Sequence, residues 1–559
     1  MTTLRTRAKL LPALAVVALA AAACGGSSNN TGTGTGSNAV EVKDGGTITY
    51  ASEKNPTNFN TLSSDGNTFD TQLMVNPVFP ATFDNQPDFS VKMNKDLLTS
   101  AELTSQEPET VTYKINPKAV WSDGTPISVD DFIYAWQTAN GKDTGYSPAS
   151  TAGYDQISTV TGSDNGKTVT VVFAKKYSDW KGLFGPLLPA HFMATLGEKH
   201  KAYNTGLTGE QVKKISGGPY IVSGYESNKQ VVLSKNAKFW GTPAHLDTIV
   251  FRILTDASVE PQALANKEVQ VMYPQPQVDL VSRVKAIQGV TAGVGFGPIF
   301  EHFDFNVANQ FLKDVALRKA LFTAIDRQQI VDATVKQFSD KAEVLNNRML
   351  VKGQPGYQDN VTSENLGAGK IDDAKKILTD AGYKGVGTKL VTKDGKAVAP
   401  LRMRYTTGNK IRQQECELFQ AAAAKLGVTI SITTTDSLGG TLDGHDYDVV
   451  VFAWVGTPFP NSANGPLYIT KGGSNYNSYS NPDVDAALKD AAVQLDAGKA
   501  QDDLNKADLQ LSKDAVTLPL YQKPTFLAYV NTYGNIHDNA TSVGPTYNIQ
   551  QWGLKKSAT

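Results

Sequence analysis

The sequence predicts a mixed α/β protein built as two large lobes joined by crossing segments. Three observations carry that expectation. From about residue 46 the chain reads as short alternating strands separated by turns. From about Phe303 helices alternate with strands. Near the end it returns to strand-like segments at 517–521 and 526–530. A chain that is strand-rich, then α/β, then strand-rich again leaves its first lobe and comes back to it. Its 559 residues exceed a single core, and at roughly 150 residues per domain they fill three or so units.

At the N-terminus Arg5, Arg7 and Lys9 precede an apolar stretch, 10–20, that is too short to span a bilayer. Ala21-Ala22-Ala23-Cys24 follows, which resembles a bacterial lipoprotein signal with Cys24 as the lipidated residue. Ala21 departs from the leucine favoured three positions before such a cysteine, and an ordinary secretory signal cut at Ala-x-Ala is the alternative. Residues 1–23 are thus expected to be the signal peptide. Residues 24–38, rich in Gly, Ser, Thr and Asn, read as a flexible tether on the order of 20 Å long. Two or more acyl chains anchor stably where one does not. No later segment is apolar for 18 residues.

Lys plus Arg number 53 and Asp plus Glu 54, with no long block of one sign. A nucleic-acid partner needs a concentrated basic face, so that class is excluded. Tyrosines and tryptophans are numerous enough to supply a binding surface as well as cores. Cys24 and Cys416 cannot build a disulfide framework, and Cys416, inside a helical pattern, reads as a small apolar packing residue.

The folded elements follow in order. Residues 46–50 and 111–115 alternate as strands. Asp-Gly and Thr-Pro turns after Trp121 lead to Ser128, which with Asp131 forms a capping-box start for a helix over 129–138. Strands at 156–161 and 168–173 flank a hairpin turn, Ser163-Asp164-Asn165-Gly166. Further strands are expected at 220–222, 231–234 and 248–253. Helices are expected at 315–325, capped by Asp314, at 371–381, stopped by Gly382, and at 411–426, stopped by Gly427. A strand at 428–433 and a helix beginning at Asn481-Pro482-Asp483 complete the second half.

The function is expected to converge on 446–460, DYDVVVFAWVGTPFP. Its run 449–453 is apolar throughout and rich in β-branched residues, the pattern of a strand buried on both faces. Gly456, Pro458 and Pro460 then force the backbone out of the sheet. In open α/β sheets ligands sit beyond the carboxyl ends of strands. Trp454, Val455, Gly456 and Thr457 are therefore the first candidates to line a cleft. The bland alternative is that Trp454 simply closes a core.

Four stretches together resemble a known family: VTYKINPKAVWSDGTPISVDDFIYAW (111–136), GGPYIVSGYESNKQVVLSKNAKFWG (217–241), LRKALFTAIDRQQIV (317–331) and NYNSYSNPDVDAAL (475–488). Their order and spacing are similar to the bacterial extracellular solute-binding proteins, family 5, of peptide and nickel ABC importers. The likeness runs from Gly45 to the end. Its most specific piece is Trp121-Ser122-Asp123-Gly124 leading into Asp130-Asp131-Phe132, and Ala324-Ile325-Asp326-Arg327 supports it.

The resemblance implies a two-lobed, periplasmic-binding-protein-like (type II) α/β fold with an additional inserted α+β domain. Lobe I would comprise 39–75, 216–298 and 522–559, the inserted subdomain 76–215, and lobe II 299–521. The crossings would lie near 297–303 and 519–524. It also implies a monomeric receptor, not an enzyme, with no cofactor or metal. The receptor would capture an oligopeptide, or else a nickel chelate or other solute, and deliver it to the permease of an ABC importer. It would be lipid-anchored to the outer, extracytoplasmic face of the cytoplasmic membrane.

In peptide-binding members of that family, an Asp three residues after the tryptophan pairs with the peptide α-amino group. Trp454 matches, but Thr457 stands where the acid would be. A hydrogen bond to a charged group contributes about 1.5–3 kcal/mol, so its loss would cost roughly 10- to 150-fold in affinity. Either another acid replaces that Asp, with Glu301 and Asp304 beside the expected crossing as candidates for which a solvated or structural role is the alternative, or the solute is not read through a free amine. Asn67, Tyr273, Gln275, Phe296, Asn475, Tyr476 and Tyr521 are further positions that the resemblance places at the cleft, with a packing or turn role equally open at each. Aromatic walls with a few amide and backbone groups would give broad specificity.

Other motifs point elsewhere. Residues 162–168, GSDNGKT, have three residues between glycines and join two strands, whereas a phosphate loop needs four and a following helix. Ser178-x-x-Lys181 and Ser163-Asp164-Asn165 match pieces of the penicillin-recognising serine enzymes, the alternative from a different class. Here they occur in the reverse order with no K-T-G after them. Asp443, His445, Asp446 and Asp448 read as a solvated turn entering a strand rather than a metal site, and the Lys and Arg side chains read as dispersed and solvated.

Overall fold

A computed structural model describes residues 39–556. The expected signal peptide, Cys24 and the tether to Asn38 lie outside the described residues. Ten strands form one sheet in the order Ile430–Thr435, Leu401–Thr406, Val449–Val455, Val290–Phe305, Thr517–Val530, Val271–Met272, Thr47–Ser52, Thr248–Ile253, Gln230–Lys235 and Tyr220–Glu226. The first three strands come from the α/β half and the last five from the β-rich opening. The two long strands between them belong to both.

These two long strands correct the sequence reading. Two separate strands, at 517–521 and 526–530, were expected. Instead Thr517–Val530 is continuous over 14 residues, and its partner Val290–Phe305 over 16. The pairing accommodates each proline with an irregularity. Phe296 faces Pro524 but Phe300 faces Gln522, and Glu301 faces Tyr521 but His302 faces Pro519. Prolines in a central strand survive only where the register slips. The Gln522 side-chain amide donates to the Gly297 carbonyl at 2.9 Å, filling part of the first gap.

Buried arginines secure the same strand. Arg327, from the Ala-Ile-Asp-Arg signature, donates to the carbonyls of Leu345 (2.6 Å) and Pro519 (2.9 Å). Arg348 is 2% exposed and donates to the Thr517 carbonyl at 2.6 and 2.8 Å and to Asp508 at 2.9 Å. Arg318 and Arg412 are buried too. The expectation of solvated arginines is thus corrected at these four positions. A guanidinium offers five donors, so one side chain can satisfy several inward-facing carbonyls that no strand partner reaches.

Residues 76–215 carry a separate four-stranded sheet, ordered Leu98–Gln106, Glu109–Ile115, Thr168–Phe173, Ile157–Ser163. The capping box at Ser128 and Asp131 forms, and Asp131 also accepts from the Trp121 indole at 3.2 Å. The Gly217-Gly218 turn packs where a side chain would not fit: a Cβ on Gly217 would lie 2.7 Å from the Trp121 ring, and one on Gly218 2.2 Å from the Pro77 carbonyl oxygen. Two of the stretches that carry the family resemblance therefore pack against each other. Helices Val315–Ala324, Ile371–Asp380, Lys410–Ala424 and Pro482–Val493 match their expected positions within two residues. The 17-residue helix Ala497–Lys513 was not anticipated.

Glu260 opens helix Glu260–Ala265 and is 1% exposed, and neither carboxylate oxygen has a hydrogen-bond partner among the described residues. Burial, with Glu53 and Asp70 nearby, pushes its pKa from 4.5 up to about 8. The folded state therefore holds a proton that the unfolded state releases, and stability falls as pH rises from about 4.5 to 8. Glu260→Met is expected to unfold at higher temperature than the parent at pH 8, with the advantage shrinking toward pH 5. Calorimetric melts at the two pH values check this.

Candidate functional site

Strand Val449–Val455 lies between Val290–Phe305 and Leu401–Thr406, and Val449 to Phe452 are buried on both sides as the apolar run requires. Trp454 is half-buried in a stack. Its ring lies 6.0 Å from His302 at an interplanar angle of 10°, and 5.8 Å from Tyr476 at 7°, with Phe452 edge-on at 5.0 Å. The stack fixes the point at which the chain leaves the sheet. Gly456 then donates to the Pro298 carbonyl at 2.9 Å, so close that a Cβ would meet that oxygen at 2.3 Å. Only glycine lets the loop turn here.

Beyond the turn, Thr457 and Phe459 line a cavity of about 800 Å³. Its other walls come from three places: residues 76–97 with 181–186, the Gly217-Gly218-Pro219 turn with Phe239 and Trp240, and 542–550 near the C-terminus. This volume falls within the range of roughly 300–1,000 Å³ typical of small-molecule sites. Thr457 and Phe459 are the contribution of residues 299–521 to this open cavity.

Two contacts outside the cavity hold residues 76–215 against 299–521. In the first, Asp179 accepts from the Ser462 N–H (2.7 Å) and hydroxyl (2.8 Å), and the Tyr177 and Ser462 hydroxyls are 3.1 Å apart. Ser178 donates from its N–H and hydroxyl to the Ala492 carbonyl, both at 3.0 Å. That carbonyl belongs to the last turn of helix Pro482–Val493, where backbone acceptors lack intrahelical partners. The S-x-x-K motif is thus a docking segment, with Lys181 5.5 Å over the Trp180 ring. In the second contact, Phe89 packs on Phe300, Leu345 and Val351. It does so at φ 62°, a conformation rare for a bulky residue, held by a turn in which Phe89 N–H donates to the Gln86 carbonyl at 3.0 Å.

Among the positions expected from sequence, Thr457 lines the cavity. Val455 is 67% exposed. Glu301 is buried, with Arg412 Nε at 2.6 Å and Lys523 at 3.5 Å. Burial would raise its pKa, but Lys523 and Arg412 outweigh it and hold the group below its ordinary value. Its charge is already matched. Asp304 is buried and accepts from the hydroxyl of Thr517, its partner across the strand pair, at 2.6 Å. Tyr521 donates to Glu415, whose pKa is driven well up by burial and then by Glu301. Asn475 staples its own loop, donating to the carbonyls of Ile469 and Tyr479, both at 2.9 Å. Tyr273 stacks on Phe69 and donates to Asp538 at 2.6 Å. Phe296 is half-buried beside Pro524, and Asn67 and Gln275 are exposed. In the acidic turn, Asp446 pairs with Arg402 at 2.5 Å and with Arg404. Cys416 is fully buried.

Sequence reading missed the groups from 76–97. Asp84 lies on strand Phe83–Asn85, paired with Val91–Met93, and lines the cavity with Asp96. The Asn-Gln-Pro-Asp run at 85–88 is a turn signal that would have placed this hairpin. Nothing in the sequence says that its tip reaches the other half.

The family model described as bacterial extracellular solute-binding proteins, family 5 Middle, matches residues 92–478. The oligopeptide-binding protein OppA of Mycobacterium tuberculosis (strain H37Rv) is 33% identical over 505 residues, covering 88% of this chain and 83% of that one. The solved periplasmic EDTA-binding protein EppA is 33% identical with a TM-score of 0.87, covering 94% of this chain and all of that one. The oligopeptide-binding protein AppA of Bacillus subtilis, solved with a nonapeptide, is 19% identical with a TM-score of 0.72 over 92% of this chain and all of that one, a likeness of fold.

Trp454→Ala removes the ring between His302 and Tyr476 that sets the start of the 456–460 loop. Solute affinity is expected to fall at least about tenfold, with circular dichroism unchanged. Titration calorimetry checks this, and unchanged affinity would separate the loop from the solute site.

Proposed function

The chain belongs to the bacterial extracellular solute-binding proteins of family 5, and from that premise we propose that it captures an oligopeptide between two lobes and delivers it to the permease of an ABC importer. As a member of that family it binds its solute rather than transforming it. The observation that carries the reading is the cavity of about 800 Å³ lined by residues of 72–242 and 542–550, with Thr457 and Phe459 of the other half at its wall. The relative named for oligopeptide binding favours a peptide solute.

The proposed lobes are 39–75 with 216–298 and 522–559, and 299–521, with 76–215 as the inserted subdomain. The irregular pairing at 296–302 against 519–524 favours those crossings as the place where the lobes pivot. The docking of Tyr177, Ser178 and Asp179 on lobe II, and of Phe89 on Phe300, Leu345 and Val351, would then be the contacts of the closed form. A solute that touches both lobes favours that form by its extra contacts. The proposal for location is a lipid anchor at Cys24 on the extracytoplasmic face of the cytoplasmic membrane. Among the described residues no helix is long and apolar enough to cross a membrane.

A second reading is a chelate solute, favoured by EppA at 33% identity. Lys92, Lys95 and Lys181 at the cavity wall would be the groups to receive a polycarboxylate.

Native mass spectrometry of protein purified from its host, followed by calorimetry with di- to hexapeptides, nickel and EDTA, separates the readings. Peptides are expected to bind and free EDTA not to. Tight EDTA binding with no peptide bound would favour the chelate. Asp179→Ala removes two hydrogen bonds from a charged acceptor. It is expected to raise the solute off-rate about tenfold while leaving the on-rate within a factor of about three, as read by stopped-flow fluorescence.

A further inference from the structure

The missing acid at Thr457 leaves open how a peptide's amino terminus would be held. Two carboxylates, Asp84 and Asp96, line the cavity into which Thr457 also faces. Asp96 accepts from the Thr242 hydroxyl at 3.0 Å, and its backbone carbonyl accepts from the Trp240 indole at 3.1 Å, so its position is fixed. Asp84 has no side-chain hydrogen bond and no ion pair among the described residues. Burial, with Asp96 as the nearby like charge, raises its pKa to about 7.

The lysines on the cavity wall do not relieve this. Lys92 stands opposite Asp84 across the hairpin, so the two side chains share a face. Its charge nevertheless acts on Asp88, at the hairpin tip. Lys181 lies over the Trp180 ring, and Lys95 is exposed. A carboxyl group facing a cavity with no hydrogen bond of its own and a second carboxylate nearby is relieved by taking up a proton or by an arriving cation. The Asn85 carbonyl, next in the strand, accepts from Asn539 at 2.9 Å, which holds the strand in place.

The geometry points to Asp84, supported by Asp96, as the subsite for a cationic nitrogen of the solute, the α-ammonium group of a short peptide. The acid would thus come from the inserted subdomain rather than from the loop after Trp454. This rests on the peptide reading above. Its expected contribution is that of one charge-assisted contact, roughly 10- to 150-fold in affinity.

The test compares alanine di- to hexapeptides with free amino termini against the same peptides N-acetylated, on the parent, Asp84→Asn and Asp96→Asn, by native mass spectrometry and calorimetry. The parent is expected to bind the free peptides at least about tenfold more tightly than the acetylated ones. Asp84→Asn is expected to lose that preference, and Asp96→Asn to reduce it. Asp84→Asn should also melt at or above the parent's temperature without ligand, since it removes an uncompensated charge, so weaker binding cannot be assigned to misfolding. Equal binding of free and acetylated peptides overturns the ammonium subsite and leaves the peptide reading standing. A preference that survives in Asp84→Asn also overturns it. Binding of neither form overturns both.

Discussion

Everything in this structure depends on one strand pair, Val290–Phe305 against Thr517–Val530, which carries the sheet from one half of the chain to the other. Two prolines stand at irregularities of its ladder, and several carbonyls around them are satisfied by side chains. Arg327 takes the Pro519 carbonyl, Arg348 the Thr517 carbonyl, and the Gln522 amide the Gly297 carbonyl. Each guanidinium is desolvated, which costs several kcal/mol in isolation, so each must make most of its possible hydrogen bonds. The result is a pair that stays continuous yet shifts register at two defined positions, where the proposed pivot would lie.

The magnitudes of the clasping contacts fit such a device. Ser178 and Asp179 contribute a handful of hydrogen bonds, each about 0.5–1.5 kcal/mol net or somewhat more where charged. Phe89 adds about 2 kcal/mol of burial, reduced by on the order of 1 kcal/mol for its left-handed backbone. Against these stands the solvation that opposing surfaces regain on opening. A balance of a few kcal/mol can be reversed by a guest. Shifting a two-state equilibrium from 1:99 to 99:1 needs about 5.5 kcal/mol of preferential binding, and a micromolar ligand has about 8 kcal/mol in all.

Much of the fold was legible because local signals agreed with it. The Ser128–Asp131 capping box, the Asp314 and Asn481 caps, the Gly382 and Gly427 stops and the Asn165-Gly166 hairpin each formed as written. The crossing strand was read as two pieces because residues 522–525 carry no strand pattern of their own, and only its pairing with Val290–Phe305 shows that it runs through. The site was less legible for the same reason. A strand-ending Trp454 and the turn at Gly456 can be read from one stretch. That Glu301 is matched by Arg412 from 111 residues away, or that Asp84 reaches the cavity unmatched, depends on the tertiary arrangement. Ser178 and Lys181 form a catalytic-looking pattern whose serine instead meets a helix end.

The proposed pivot is measured most directly by double electron–electron resonance between spin labels at the exposed positions Glu107 and Lys506, one in each body that would move. Buried Cys416 would escape labelling, being inaccessible. Motion about the strand pair predicts a broad distance distribution without solute that collapses to a single shorter distance when solute binds. A distribution that stays the same while calorimetry reports a bound solute would contradict it.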